Sequence, residues 1–173
     1  MKEAEKQKEM FLKSYKDHSD AIFRYCLFRV SDREEALDLT QEVFMKVWSY
    51  VSMGENILNI KAFLYKTASN LVIDQYRRRK PNHSLEIMYE ESGFEPASDD
   101  YDRIIDRLDG SKAILLLSKI PESYREVLFM RYVQELSLAE IGDITGEEEN
   151  TIAVRVHRGI AKLEEIFNPK NGQ

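Results

Sequence analysis

Two short helices joined by a glycine turn are encoded between Ser137 and Leu163, and no other stretch constrains the fold as much. Ser137 and Glu140 have the spacing in which a serine caps a helix and a glutamate three residues later reaches back to it. Gly146 stands where that helix must end and the chain must turn, a position that favours a residue without a Cβ atom. The pattern predicts a helix-turn-helix, a motif that often places its second helix in the major groove of DNA.

The second helix of this motif is predicted to be amphipathic. Its inner face is apolar and consists of Ile152, Val156, Ile160 and Leu163. Its outer face is polar or basic and consists of Asn150, Thr151, Arg155, His157 and Arg158. An ordinary helical hairpin with a solvated face has the same pattern, so DNA binding is an interpretation that other parts of the chain must support.

Helical periodicity runs through most of the 173 residues, which include only seven glycines and four prolines. This favours an all-α fold of two small helical domains, residues 1–80 and 106–173, joined by a flexible acidic linker over residues 81–105. In the first domain, Ser31 and Glu34 have the capping spacing and predict the start of its second helix. Residues 52–59 read as a loop, and a third helix is predicted from Ile60 to Arg79.

The charge of the chain is unevenly distributed. The formal net charge of −6 is unfavourable for a DNA-binding protein. However, residues 61–80 contain six basic side chains against Asp74 alone, whereas residues 82–109 contain nine acidic side chains against two arginines. The overall sum therefore conceals a basic region, and we expect weak binding to DNA unless a partner supplies further affinity.

The basic region is interleaved with aromatic residues, including Tyr65 and Tyr76. Aromatic rings can stack on unpaired bases, while lysine and arginine follow the phosphate backbone. Asn70 and Asp74 are one helical turn apart, so their amide and carboxylate groups share a face and could contact base edges. This combination predicts binding to single-stranded nucleic acid.

Catalysis and membrane insertion have little support in the sequence. Asp38 and Glu42 lie one turn apart and could belong to a metal site, but no matching set of acids or histidines is present elsewhere. We therefore expect no catalytic residues, no metal and no cofactor. With one cysteine, Cys26, no intramolecular disulfide can form. The absence of a long apolar run or signal-peptide core predicts a cytoplasmic protein.

Three segments resemble the extracytoplasmic-function (ECF) sigma factors of the sigma-70 family. DREEALDLTQEVFMKVW resembles the first-domain signature of that family, and AFLYKTASNLVIDQYRRR resembles the element that follows it. IPESYREVLFMRYVQELSLAEIGDITG and VRVHRGIAKL together resemble the helix-turn-helix of the second domain. The three motifs occur in the family's order and spacing, and the resemblance spans nearly the whole chain.

The resemblance implies that the protein binds bacterial core RNA polymerase and directs promoter recognition, DNA opening and transcription initiation. Contacts with the clamp helices of the largest polymerase subunit would come from Asp38, Leu39, Gln41, Glu42, Phe44 and Trp48. Contacts with the promoter element near −10 would come from Asn56, Lys61, Tyr65, Lys66, Asn70, Asp74, Arg77 and Arg78. Contacts with the −35 element would come from Arg131, Asn150, Thr151, Ala153, Val154, Arg155, His157 and Arg158.

Further partners follow from the same resemblance. The flap of the second polymerase subunit would receive the second domain, and the acidic linker would run towards the RNA path. An anti-sigma factor holds many relatives inactive between their two domains. A stand-alone helix-turn-helix regulator, acting as a dimer on palindromic sites without polymerase, is the main alternative interpretation.

The sequence departs from the family pattern in its recognition helix. Lysine or arginine, then serine, often occupies the positions held here by Ala153 and Val154, neither of which can donate a hydrogen bond to a base. Glu147, Glu148 and Glu149 precede that helix and repel phosphate. We therefore expect weak −35 discrimination, compensated by the −10 element or by a DNA-binding partner that positions the polymerase.

Overall fold

The computed structural model describes residues 1–79 and 115–167, which belong to two compact units. The first unit consists of helices α1 (Lys2–Val30), α2 (Arg33–Ser52) and α3 (Ile60–Arg79). The second contains α4 (Glu122–Leu128), a π-helical segment (Phe129–Val133), α5 (Leu138–Thr145) and α6 (Glu149–Phe167). The predicted all-α class is confirmed. The predicted linker, residues 81–105, lies outside the described residues, and its two boundaries with the domains stay a prediction.

The core of the first unit lies between the second half of α1 and one face of each of the other two helices. From α1 it receives Ile22, Tyr25 and Cys26, and the side chains that meet them follow the three-to-four-residue spacing of an amphipathic helix. Those from α2 are Ala36, Leu39, Val43, Phe44, Val47 and Val51. Those from α3 are Leu64, Tyr65, Ala68, Leu71 and Val72.

Cys26 is fully buried in this core. Burial raises the pKa of its thiol to about 12, although a hydrogen bond with Thr40 and the charge of Arg29 act in the opposite direction. Because the thiolate is the reactive form of cysteine, this residue is a packing element of the core.

The start of α2 corrects one prediction. Ser31 adopts a left-handed conformation with φ of 56° and ends α1, its N–H donating to the carbonyl of Leu27 at 2.8 Å. Asp32 is the residue that caps α2, because its carboxylate accepts a hydrogen bond from the N–H of Glu35 at 2.9 Å. The predicted cap of Ser31 with Glu34 is therefore wrong by one residue.

The helix-turn-helix of the second unit forms as predicted. Ser137 and Glu140 make both hydrogen bonds of a capping box, at 3.1 and 2.8 Å. Gly146 takes the left-handed conformation, with φ of 75°, and ends α5. Gly142 has a separate role, because a Cβ atom built on it would lie 2.7 Å from the backbone oxygen of Glu147. The turn therefore packs directly against the backbone of α5.

The segment before this motif differs from a continuous α-helix. After Leu128 the backbone widens into π-helical turns, and the N–H of Gln134 bonds to the carbonyl of Phe129 at 3.1 Å. Glu135 then adopts a left-handed conformation with φ of 56°. Tyr132, within the π-helical segment, is 58% exposed. Pro121 precedes α4 as its N-cap.

Candidate polymerase and nucleic-acid interfaces

The outer surface of α2 contains four of the six residues predicted to contact polymerase. Asp38, Gln41, Glu42 and Trp48 are exposed. Leu39 and Phe44 are buried. The prediction of a direct polymerase contact is corrected for these two residues. Their side chains pack beneath the exposed surface of α2 and present almost no area to a partner.

An apolar groove of about 530 Å³ runs beside this surface, between α1 and α2. Its floor is aromatic: the ring of Phe11 lies 5.0 Å from that of Trp48, and Tyr15 meets Phe44 edge-on at 4.8 Å. Met45 is 70% exposed at its rim, opposite Leu12. Sequence reasoning missed Leu12 and Met45, although the wide apolar arc of α2 was the available signal. Exposed apolar patches of this kind mark sites of protein association.

A second cleft lies where the start of α2 meets the end of α3. It is lined by acidic and basic side chains: Asp32, Glu34, Glu35, Asp38, Glu42, Arg78 and Arg79, with Leu39 and Gln75 between them. The carboxylate of Glu35 accepts from Gln75 and pairs with Arg79 at 2.7 Å. Within the two described ranges, no group of three or more acids, histidines or cysteines could hold a metal ion.

One face of α3 presents most of the residues predicted to contact the −10 element. Lys66, Asn70 and Asp74 are spaced four residues apart and are exposed, as are Arg77 and Arg78 in the last turn. These five residues form the α3 stripe. Lys61 is half-buried at the start of the helix, and Asn56 is exposed in the preceding loop.

Tyr65 requires a correction. Its side chain is 1% exposed and meets the ring of Tyr25 edge-on at 5.5 Å. It therefore belongs to the core and cannot stack on a base. Tyr76 is also engaged, because its hydroxyl donates to the backbone carbonyl of Arg29.

A different aromatic pair lies beside the loop of residues 52–59. Tyr50, at the end of α2, is exposed and faces Phe63 of α3 with 5.0 Å between the ring centroids. The loop ends at Asn59, whose side chain accepts from the N–H of Ala62 at 3.0 Å and so caps α3. Sequence reasoning missed Tyr50, since its position at a helix end does not reveal which ring it meets.

The outer face of α6 borders a cleft of about 450 Å³ shared with the start of α4. Its lining is mostly polar: Ser123, Tyr124, Asn150, Thr151, Val154, Arg155 and Arg158. Of the residues predicted to contact the −35 element, five line this cleft. His157 is exposed outside it, Ala153 is half-buried, and Arg131 donates to the carbonyl of Leu136 at 3.1 Å.

Arg155 is held by an ion pair within the protein. Its guanidinium lies 2.5 Å from the carboxylate of Glu147, in the turn that precedes α6. This pair fixes the turn to the helix and neutralises one of the three acids at the start of the recognition helix. It also occupies a basic group that the sequence assigned to DNA.

Similarity to known proteins covers both units. Residues 14–81 match the family described as Sigma-70 region 2, and residues 112–163 match the family described as Sigma-70, region 4. The chain is 32% identical over 154 residues to the ECF RNA polymerase sigma factor SigW of Bacillus subtilis, covering 82% of this chain and 80% of SigW. It is 27% identical to the RNA polymerase sigma factor SigV of the same organism, covering 92% of both.

The fold is also that of a solved structure. The sigma factor RpoE of Bartonella quintana, solved in complex with the anti-sigma factor NepR, matches with a TM-score of 0.66 over 94% of this chain and 99% of RpoE, at 22% identity. The relatives give no support to the alternative of a stand-alone regulator. Across residues 1–79 and 115–167, no helix has the length and apolar character that crossing a membrane requires.

Proposed function

The chain belongs to the ECF sigma factors of the sigma-70 family, and from this premise we propose how its two units divide the work of transcription initiation. The first unit binds core RNA polymerase and captures a promoter strand near −10. The second unit binds the −35 element as duplex and contacts the flap of the second polymerase subunit. The single observation that supports this proposal is the exposed α3 stripe, in which basic side chains share one helix face with an amide and a carboxylate.

The polymerase contact is assigned to the outer surface of α2. Gln41 lines the apolar groove together with Met45 and Trp48. The exposed carboxylates of Asp38 and Glu42 lie on the same helix and line the charged cleft. A helical partner with apolar and basic side chains, such as the clamp helices of the largest subunit, matches both parts. Met45→Glu should weaken binding to core polymerase, because it places a charge in the groove. Leu58→Glu, in an exposed loop position of the same unit, is the matched control.

The −10 contact is assigned to the α3 stripe together with the loop of residues 52–59. Arginines at the end of α3 follow the backbone of a separated strand, and the exposed ring of Tyr50 beside the loop offers a stacking surface for an extruded base. Asn70 and Asp74 carry the hydrogen-bonding groups that contact base edges. The same contact includes Lys61, at the start of α3, and Asn56, in the loop that precedes it.

The proposal also includes two kinds of regulatory partner, for which no individual contact residues are assigned. An anti-sigma factor would hold the factor inactive until it is needed, and a DNA-binding partner would compensate for the short set of −35 contacts. The linker, residues 81–105, is assigned to the RNA path by resemblance alone. The function requires the protein to work in the cytoplasm, where bacterial RNA polymerase is found.

Run-off transcription with purified core polymerase tests the proposal. Initiation from a specific promoter should require the added protein and should fall by about tenfold or more in Arg77→Ala/Arg78→Ala, since each removed cation loses a contact with the strand. Arg79→Ala is the matched control, because the charge of Arg79 is already paired with Glu35. The proposal fails if core polymerase gains no promoter-specific initiation on any template from a library.

A further inference from the structure

The exposed stripe on α6 combines two polar residues with one aliphatic side chain at its centre. Asn150, Val154 and Arg158 are four residues apart and therefore share one face of the helix. Val154 is 49% exposed, and it borders the cleft that Asn150, Thr151 and Arg158 line. About half of this isopropyl group is therefore in contact with water, which leaves apolar surface available for a contact with a partner.

The ion pair with Glu147 changes what this face can offer to DNA. Because Arg155 is directed at that carboxylate, the basic group next to Val154 is engaged inside the protein. The first two turns of α6 therefore present an amide, a hydroxyl and an isopropyl group at Asn150, Thr151 and Val154. These turns are the part of a recognition helix that contacts base edges in the helix-turn-helix arrangement.

Of the base edges in the major groove, thymine alone presents an apolar group, its C5 methyl. We propose that Val154 determines specificity by packing against the C5 methyl group of one thymine in the −35 element. This inference rests on the proposed function, and it replaces the expected general loss of −35 discrimination by discrimination at one base pair. The discrimination is modest, because a single methyl group leaves water.

The test removes that methyl group and nothing else. A promoter is first selected from a randomised library with the holoenzyme, the complex of this chain with core polymerase. Each thymine of its −35 element, on either strand, is then replaced singly by deoxyuridine, which pairs identically but lacks the methyl. Competition between the thymine and uracil promoters for the holoenzyme gives their relative affinity.

At one position, deoxyuridine should weaken binding of the unmodified holoenzyme by about threefold to fivefold, the effect of losing one buried methyl group. Val154→Ala should weaken binding to the thymine promoter by a similar factor and abolish the difference between thymine and uracil at that position. Alanine is favourable in a helix, so this variant keeps its fold. Ile166→Ala, which removes apolar surface from a 41%-exposed position further along α6, should retain the full difference.

Three results separate the possibilities. If no deoxyuridine position matters, or if Val154→Ala loses the same affinity on thymine and uracil promoters, the inference is wrong and Val154 contacts no methyl group. If Ile166→Ala also abolishes the difference, the effect belongs to the helix as a whole and the inference is again overturned. If no holoenzyme forms or initiates, the proposed function itself fails, which is a distinguishable outcome.

Discussion

Glu35 of α2 and Arg79 of α3 form an ion pair, with 2.7 Å between the carboxylate oxygen and the guanidinium nitrogen. The same oxygen accepts a hydrogen bond from Gln75, so one carboxylate fixes the last two turns of the basic helix. Arg77 and Arg78, by contrast, lie exposed in the same turn as Arg79. The pair therefore ties one of the three consecutive arginines to α2, whereas Arg77 and Arg78 are assigned to the promoter strand.

Glu35→Gln should release Arg79 to contact promoter phosphate. Because Arg79 is 57% exposed, the free energy of unfolding should fall by less than about 1 kcal/mol. The plot of log affinity against log salt for the holoenzyme and its promoter should steepen by about 0.7 to 0.9, the effect of one added phosphate contact. A salt titration measures this slope. Glu35→Gln/Arg79→Ala is the control and should return the slope to that of the unmodified factor, whereas an unchanged slope in Glu35→Gln would contradict the assignment.

Arg125 of α4 should stabilise the fold of the second unit. Arg125 and Glu122 are both buried and 2.9 Å apart, and Arg125 also donates to the carbonyl of Ile120 at 3.0 Å. Arg125→Ala should lower the free energy of unfolding of the second unit by about 3–5 kcal/mol, because it removes one charge of a buried ion pair. Glu122→Gln/Arg125→Met should cost less, since it removes both charges.

Urea unfolding followed by two signals checks this prediction. Helical circular dichroism reports on both units, whereas the fluorescence of Trp48, the single tryptophan, reports on the first unit. Arg125→Ala should shift part of the dichroism transition to lower urea and leave the fluorescence transition in place. Coincident shifts of the two signals would show that the pair does not act locally.

Two glycines of the helix-turn-helix should respond differently to substitution. Gly142→Ala should destabilise the second unit by about 1–3 kcal/mol, because the new Cβ atom meets the backbone of the turn. Gly146→Ala should cost about 1 kcal/mol through its positive φ alone, since a Cβ atom there meets open space. Gly146→Asn should recover part of that loss, because asparagine tolerates the left-handed region. Recovery by Gly142→Asn, measured by the same unfolding, would contradict the steric explanation.

His18 should make the first unit less stable in acid. Burial lowers the pKa of His18 below its usual 6.5, Lys61 lowers it further, and Asp17 opposes both effects. The unfolded chain therefore takes up a proton at a higher pH than the folded chain does. The contribution of neutral His18 to the stability of the first unit is therefore fully present above the ordinary pKa of histidine. It is lost as the pH falls below that value.

Unfolding monitored by Trp48 fluorescence between about pH 5 and pH 8 tests this sign. As the pH is lowered, the midpoint of this unfolding transition should decrease more steeply in the unmodified protein than in His18→Gln. The exposed His157 of the second unit provides the control, and His157→Gln should retain the steep dependence. A steeper fall in His18→Gln would reverse the prediction.

The sequence predicted elements where one local signal acted alone. Helix α3 begins at Ile60 and ends at Arg79 as expected, and Ser137, Glu140 and Gly146 fix both ends of α5. At the start of α2 two signals competed, because Ser31 with Glu34 and Asp32 with Glu35 have identical capping spacing. Only the left-handed turn at Ser31 decides between them, and a non-glycine residue gives no local sign of that conformation.

The candidate sites were predicted less completely, because exposure depends on contacts between distant residues. Tyr65 adjoins Leu64 along α3, and its burial follows from Tyr25, which is 40 residues away in the chain. The pairing of Arg155 with Glu147 depends on the conformation of the turn before α6. In the same way, the π-helical segment has no sequence marker of its own.

The reactivity of −10 thymines towards permanganate, which modifies unpaired bases, measures directly whether the α3 stripe captures an opened strand. With the unmodified factor and core polymerase, thymines of the −10 element should become reactive. With Arg77→Ala/Arg78→Ala the promoter should remain bound through the second unit while this reactivity falls by about tenfold or more. Equal reactivity with both proteins would contradict the assignment of strand capture to the end of α3.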